Sequence, residues 1–194
     1  MDYVAYRELV DQGYANGQTT GEDHSEAMLH YTHMNIARMK RLDKTTRLSE
    51  ATLAAIQQIE RKQIWLVITE GWCGDAAQII PVLEKMGAET EMVDLRYILR
   101  DQHLDIIDAF LTNGGRSIPK ILVLDAASLD VLNTWGPRPH EVQSLMVKTK
   151  KDLAALDNAE DKAALNETVK RNIQLMYAKD KTRSIQSEFL EIVG

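Results

Sequence analysis

The stretch from Ile64 to Pro81 constrains the fold of this chain more than any other. Ile64-Trp65-Leu66-Val67-Ile68 is apolar and rich in β-branched residues, the signature of a buried strand. Gly71 ends that strand. A helix is predicted to start near Gly74, with Ile79, Ile80, Val82, Leu83 and Met86 on its buried side. Cys73, the only cysteine of the chain, sits at the junction, in the first turn of that helix. Unpaired N–H groups and the positive end of the helix dipole favour an anion there. A thiolate in that position has a lowered pKa. A lone cysteine also serves as a small buried hydrophobe. Two readings therefore stand for Cys73, a reactive thiolate and a packed apolar side chain.

The residues before this stretch read as helical. Tyr3 to Val10 predicts a short helix, broken by Gly13 and Gly17. Asp23-His24-Ser25-Glu26 fits a capping box, opening a helix that runs to Leu42 and buries Met28, Leu29, Ile36, Met39 and Leu42. That helix ends in Arg38, Lys40, Arg41 and Lys44, followed by Arg47. Cations suit a helix C-terminus, so the run reads as a solvated end, or as a docking patch for an acidic partner. Ser49 caps a third helix from Glu50 to about Glu60. His24, His30 and His33 lie close together, but no cysteine or carboxylate joins them at a metal-ligand spacing, so no metal site is expected.

Beyond Gly87, Thr90 to Leu95 reads as a second strand and Arg96 to Arg100 as a turn. Gln102 to Thr112 reads as a helix stopped by Asn113-Gly114-Gly115. Pro119 to Asp125 and Asp130 to Trp135 read as two strands of a hairpin. Pro139 is placed as the first residue of another helix. The order is β-α-β-α-β-β-α, with the first two strands parallel through a right-handed crossover. From about Asp152 the chain is helical again, with Leu165, Val169, Ile173 and Met176 in one stripe and Ile185, Phe189, Leu190 and Ile192 in a last short helix.

Composition narrows the function. A net charge of −6 argues against nucleic acid as a partner. No apolar run reaches the ~20 residues that span a bilayer, and Met1 to Arg7 has no signal-peptide pattern. One cysteine excludes an internal disulfide and suits a reducing compartment, so a cytoplasmic location is expected.

Trp72-Cys73-Gly74-Asp75-Ala76 resembles the thioredoxin active-site motif W-C-G-P-C. Pro81, eight residues after the cysteine, matches that family's helix-kinking proline. Ser117-Ile118-Pro119-Lys120 resembles its cis-proline loop. With Gly114-Gly115-Arg116 and Trp135-Gly136-Pro137-Arg138-Pro139, the chain resembles a thioredoxin-like branch of bacterial proteins with a single-cysteine motif. The resemblance covers roughly residues 60–150. It implies an α/β thioredoxin-like fold with a central mixed sheet: a domain at 61–150, a helical N-terminal extension at 1–60 and a helical C-terminal extension at 151–194. The extensions are expected to pack on the domain's outside or to form a dimer interface.

The resemblance also brings together Cys73, Ile118-Pro119 and Trp135-Gly136. The backbone beside Pro119 would hold an extended peptide or a small thiol, with a cis bond between Ile118 and Pro119. Trp72, Gly74 and Asp75 would line the same site. Arg116 and Arg138 would flank it, lowering the thiolate pKa and binding a carboxylate of the thiol, or they are solvated loop arginines. Glu70 and Asp75 would act against them. Trp72 and Trp135 would form an aromatic rim, or cap the edge of the core.

Two departures set the chemistry. Ala76 stands where the family has its resolving cysteine, so the chain has no internal thiol to release a mixed disulfide. Val67 stands where thioredoxins carry a buried acid. The expected activity is monothiol exchange. Cys73 attacks a disulfide or accepts a low-molecular-weight thiol such as glutathione, and an external thiol resolves the adduct. The partners are then protein or peptide thiols and disulfides, or a small thiol, with no resident cofactor. A redox-inactive module that binds a peptide or protein is the alternative. A glutathione-transferase-like thiol transferase comes third.

Overall fold

The computed structural model describes residues 1–193. The β-branched run forms the central strand β1 (Gln63–Thr69), whose last three residues are all buried. It pairs in parallel with β2 (Val93–Leu99), setting Trp65 opposite Leu95. On its other side it pairs antiparallel with β3 (Lys120–Asp125), setting Val67 opposite Ile121. β4 (Val131–Trp135) completes a mixed sheet of order β2-β1-β3-β4.

The parallel pair needs a crossover, and α4 (Ala76–Gly87) supplies it. Every residue of α4 from Ala76 to Leu83 is buried. A helix apolar on all sides needs cover all round. The sheet covers one side. The other side meets α2 (Glu26–Thr45), α3 (Glu50–Gln57) and α8 (Arg183–Val193). α1 (Tyr3–Ala15) packs on α2 and β2, while α7 (Ala159–Asp180) packs on α6 (His140–Ala154). With the short α5 (Leu104–Asp108), the order from β1 to α6 is β-α-β-α-β-β-α. The architecture is α/β with helical extensions at both ends.

The C-terminal helix α8 belongs to the core. Phe189 packs edge-on against Trp65, with ring centroids 4.7 Å apart, and against Trp135 at 5.9 Å. The Trp65 indole is fully buried and donates to Gln63 Oε1 at 2.9 Å. Gln63 Nε2 in turn donates to the Val193 carbonyl at 3.0 Å. The buried indole N–H thus has the partner it requires.

Several local boundaries differ from the sequence expectation. α1 continues through Gly13 to Ala15, because Tyr6 and Val10 bury its inner face and outweigh the ~1 kcal/mol helix penalty of a glycine. The N-cap of α2 is Ser25, whose hydroxyl accepts from the Met28 N–H at 3.4 Å, while Asp23 accepts from the Ser25 N–H. The buried side of α2 carries Thr32, Asn35, Met39 and Leu42; Met28, Leu29 and Ile36 are only half-buried. α3 stops at Gln57, short of Glu60.

β2 begins at Val93 and takes in Arg96 to Leu99, expected as a turn. Period-two alternation continues through Tyr97 and Leu99, with Asp94 and Arg96 outward. The helix expected from Gln102 to Thr112 shrinks to α5. Asn113 and Gly114 adopt positive φ, and Thr112 and Gly115 exchange two backbone hydrogen bonds across them. β3 starts at Lys120 rather than Pro119, and Pro139 caps α6 rather than entering it.

Candidate functional site

The loop between β1 and α4 is held from below by the N-terminal helices. Asn35 of α2 donates to the Gly71 carbonyl at 3.0 Å, and the Gly71 N–H donates to Thr20 Oγ1 at 2.9 Å. Val10 of α1 packs so close to Gly71 that a Cβ there would sit 2.9 Å from a Val10 methyl. Glycine is the residue that allows this approach. Glu70 is fully buried and accepts from the Thr20 hydroxyl and, at 3.0 Å, from the Asp101 N–H. Burial raises the Glu70 pKa, and those two hydrogen bonds oppose the rise.

Cys73 lies two residues before Asp75, the N-cap of α4, so it stands just outside the helix rather than in its first turn. It is only 8% exposed. Its thiol donates to the Ile118 carbonyl at 3.3 Å, and its sulfur accepts from the Ala76 N–H at 3.5 Å. The peptide bonds before Pro119 and Pro137 are cis. Burial pushes the Cys73 thiol up to about 12, with the Asp75 charge adding to the rise. The N–H groups of Ala76 and Asp75 and the Arg138 guanidinium pull the other way and lose. The lowered pKa expected from a helix start is therefore reversed, because losing water outweighs two backbone dipoles.

The Asp75 carboxylate is the hub of a polar cluster. Oδ2 accepts from Arg138 Nε at 2.8 Å and from Nη2 at 2.7 Å. Oδ1 accepts from the Tyr177 hydroxyl at 2.9 Å. Arg138 Nη1 donates onward to Gln143 at 2.9 Å. Burial, with the charge of Asp75, holds the Tyr177 phenol far above its ordinary range. Gly74 lies beside the Arg38 guanidinium and the Gln174 amide.

The expected site residues divide into those brought together and those kept apart. Cys73, Ile118 and Pro119 meet, and Arg138 reaches the Cys73 loop through Asp75. Arg116 does not. It forms an exposed two-bond pair with Asp108 at 2.6 and 2.7 Å. The rim of two tryptophans also fails. Trp135 is 9% exposed and packs on Phe189 inside the core, whereas Trp72 carries the Arg100 guanidinium 4.9 Å from its ring centroid. The Glu70 carboxylate turns to Thr20 and Asp101.

Tyr177, Gln143, Asn35 and Thr20 escape the sequence reading. Only Tyr177 had a signal, since it extends the Val169-Ile173 stripe by one more i,i+4 step. Among the described residues no group of three His, Cys, Asp or Glu is placed to hold a metal. His24 instead accepts from the Thr19 N–H, and His33 stacks on Tyr14 at 5.1 Å. No helix of the described residues is long and apolar enough to cross a membrane.

Comparison with known proteins agrees with this fold. A family model described as thioredoxin matches residues 21–156. No curated protein matches the chain significantly. Among solved structures, the chain is similar to an HIV epitope-scaffold. The identity is 21%, the TM-score 0.59, and the match covers 100% of this chain and 98% of that one. It is also similar to a protein of unknown function from Pseudomonas aeruginosa, at 22% identity and TM-score 0.52, covering 92% and 99% of the two chains. At these identities the likeness shows the fold alone.

Proposed function

This chain belongs to the thioredoxin family, and on that footing we propose that it acts as a binding module in which Cys73 stays a thiol. One observation carries this reading. The buried Cys73 S–H is committed to the Ile118 carbonyl, with its pKa pushed up to about 12. A group ionised so weakly near neutral pH is a poor nucleophile. Its hydrogen bond instead ties the Cys73 loop to the Pro119 loop, the two loops that frame the family's ligand groove. The partner is a peptide or protein segment, or a small thiol, lying beside Ile118 and Pro119.

Monothiol exchange is the second reading, and a specific contact favours it. The Ala76 N–H at 3.5 Å from Cys73 Sγ would stabilise a thiolate if water or a ligand opened the site. On that path the Cys73 thiolate attacks one sulfur of a disulfide and the other sulfur leaves as a thiolate. An external thiol then attacks the mixed disulfide and returns Cys73 to its reduced state.

The rate of Cys73 alkylation against pH, in the folded and the urea-unfolded protein, separates the two. The binding reading expects slow modification in the folded state, with an apparent pKa above the free value of about 8.5. Fast modification near neutral pH, with an apparent pKa well below that value, overturns it in favour of exchange.

A further inference from the structure

A second site lies beside Tyr177. A cavity of about 390 Å³ opens between the end of α2, the start of α8 and the last turn of α7. Three cations, Arg41, Arg47 and Lys181, line it, and no carboxylate does. None of the three forms an ion pair among the described residues, although the chain as a whole carries a net charge of −6. Arg47 uses Nη1 on the Lys44 and Thr46 carbonyls at 3.1 Å each, which leaves its other N–H groups free to point elsewhere.

One further feature points to a ligand in this cavity. Thr46, another lining residue, is 4% exposed, and its buried hydroxyl has no hydrogen-bond partner. A buried polar atom left unpaired costs about 1–3 kcal/mol, so a ligand oxygen that reaches it recovers that cost. The nearby carboxylates are engaged elsewhere: Asp180 caps α8 through the Ser184 N–H and hydroxyl, and Asp75 holds Arg138 and Tyr177.

We infer that this cavity binds a small organic phosphate. A doubly charged phosphate answers the set of cations better than a single carboxylate, and guanidinium forks match its oxygens. Leu42, Ala178 and Ile185 give an apolar wall for the organic part. The volume falls in the range of small-molecule pockets, about 300–1,000 Å³. This site is independent of the chemistry assigned to Cys73.

The test is calorimetric titration of the full-length protein with phenyl phosphate at fixed ionic strength. The wild type is compared with the double variant Arg41→Gln/Lys181→Asn and the control Lys148→Gln. Asparagine suits position 181, where φ is 53°. Both substituted cations are exposed, and unchanged thermal midpoints without ligand establish that the variants fold. Arg47→Gln is the second variant if the Lys181 turn is disturbed. The expected result is saturable binding to wild type and control, weakened about tenfold or more when the cations are removed. Phosphate also stabilises proteins non-specifically. Binding that does not saturate at millimolar ligand, or that is as tight in the variants as in the wild type, overturns the inference.

Discussion

At Cys73 two effects compete for one proton. The N–H groups ahead of α4 favour the thiolate, while burial and the Asp75 carboxylate favour the thiol, and the second pair wins. That outcome has a signed consequence for stability. The folded pKa lies above the unfolded value of about 8.5. Below about pH 8.5 both states hold the proton, and the contribution of the group is fully present. Above it the unfolded chain ionises while the folded chain keeps its proton. Stability then falls by up to about 1.4 kcal/mol per pH unit until the folded thiol itself titrates. Cys73→Ser lacks this slope. Urea denaturation of both proteins from about pH 7.5 to 10.5 should show the wild type losing ground steadily against the variant. Parallel curves would mean that Cys73 titrates alike in both states. The motif Trp72-Cys73-Gly74-Asp75 was legible in the sequence, but its protonation was not. Desolvation depends on what covers the sulfur, and the cover comes from Ile118, 45 residues away.

Among the loops, the segment after β4 is fitted to the Pro119 loop by one glycine. Gly136 has φ 105°, and a Cβ there would run into the Pro119 carbonyl. Gly136→Ala is therefore expected to cost about 2–3 kcal/mol. Gly17→Ala is the control. Its φ is 70°, but nothing lies within 4 Å of where the alanine methyl would sit, so it should cost about 1 kcal/mol. Equal losses for the two in chemical denaturation would remove the steric role assigned to Gly136. At this scale the sequence was a good guide where periodicity was long and a poor one where it was short. β1 and α4 followed from their apolar runs. The expected helix from Gln102 to Thr112 did not: it starts at Leu104, after the 3₁₀ turn at Arg100–Gln102, and stops at Asp108, where the Ala109 and Phe110 N–H groups turn to the carbonyls three residues back.

For the molecule as a whole, the terminal helices are structural parts of the fold. Phe189 of α8 joins Trp65 of the central strand to Trp135 of the edge strand. Phe189→Ala is expected to cost about 3–5 kcal/mol in equilibrium unfolding. A loss below about 1 kcal/mol would mean that α8 contributes little to the core. The sequence by itself determined the order of elements, the strand-to-helix junction at Cys73 and the lack of a resolving cysteine. Those follow from local periodicity and from inventory, which act over a few residues. Only the tertiary structure decided that Cys73 is a buried thiol, that Arg138 and Tyr177 share Asp75, that Arg116 turns to Asp108, and that Trp135 faces the core. Desolvation and the choice of ion-pair partner depend on groups brought together from distant parts of the chain. Tyr177 reaches Asp75 across 102 residues, a separation over which no local pattern carries information.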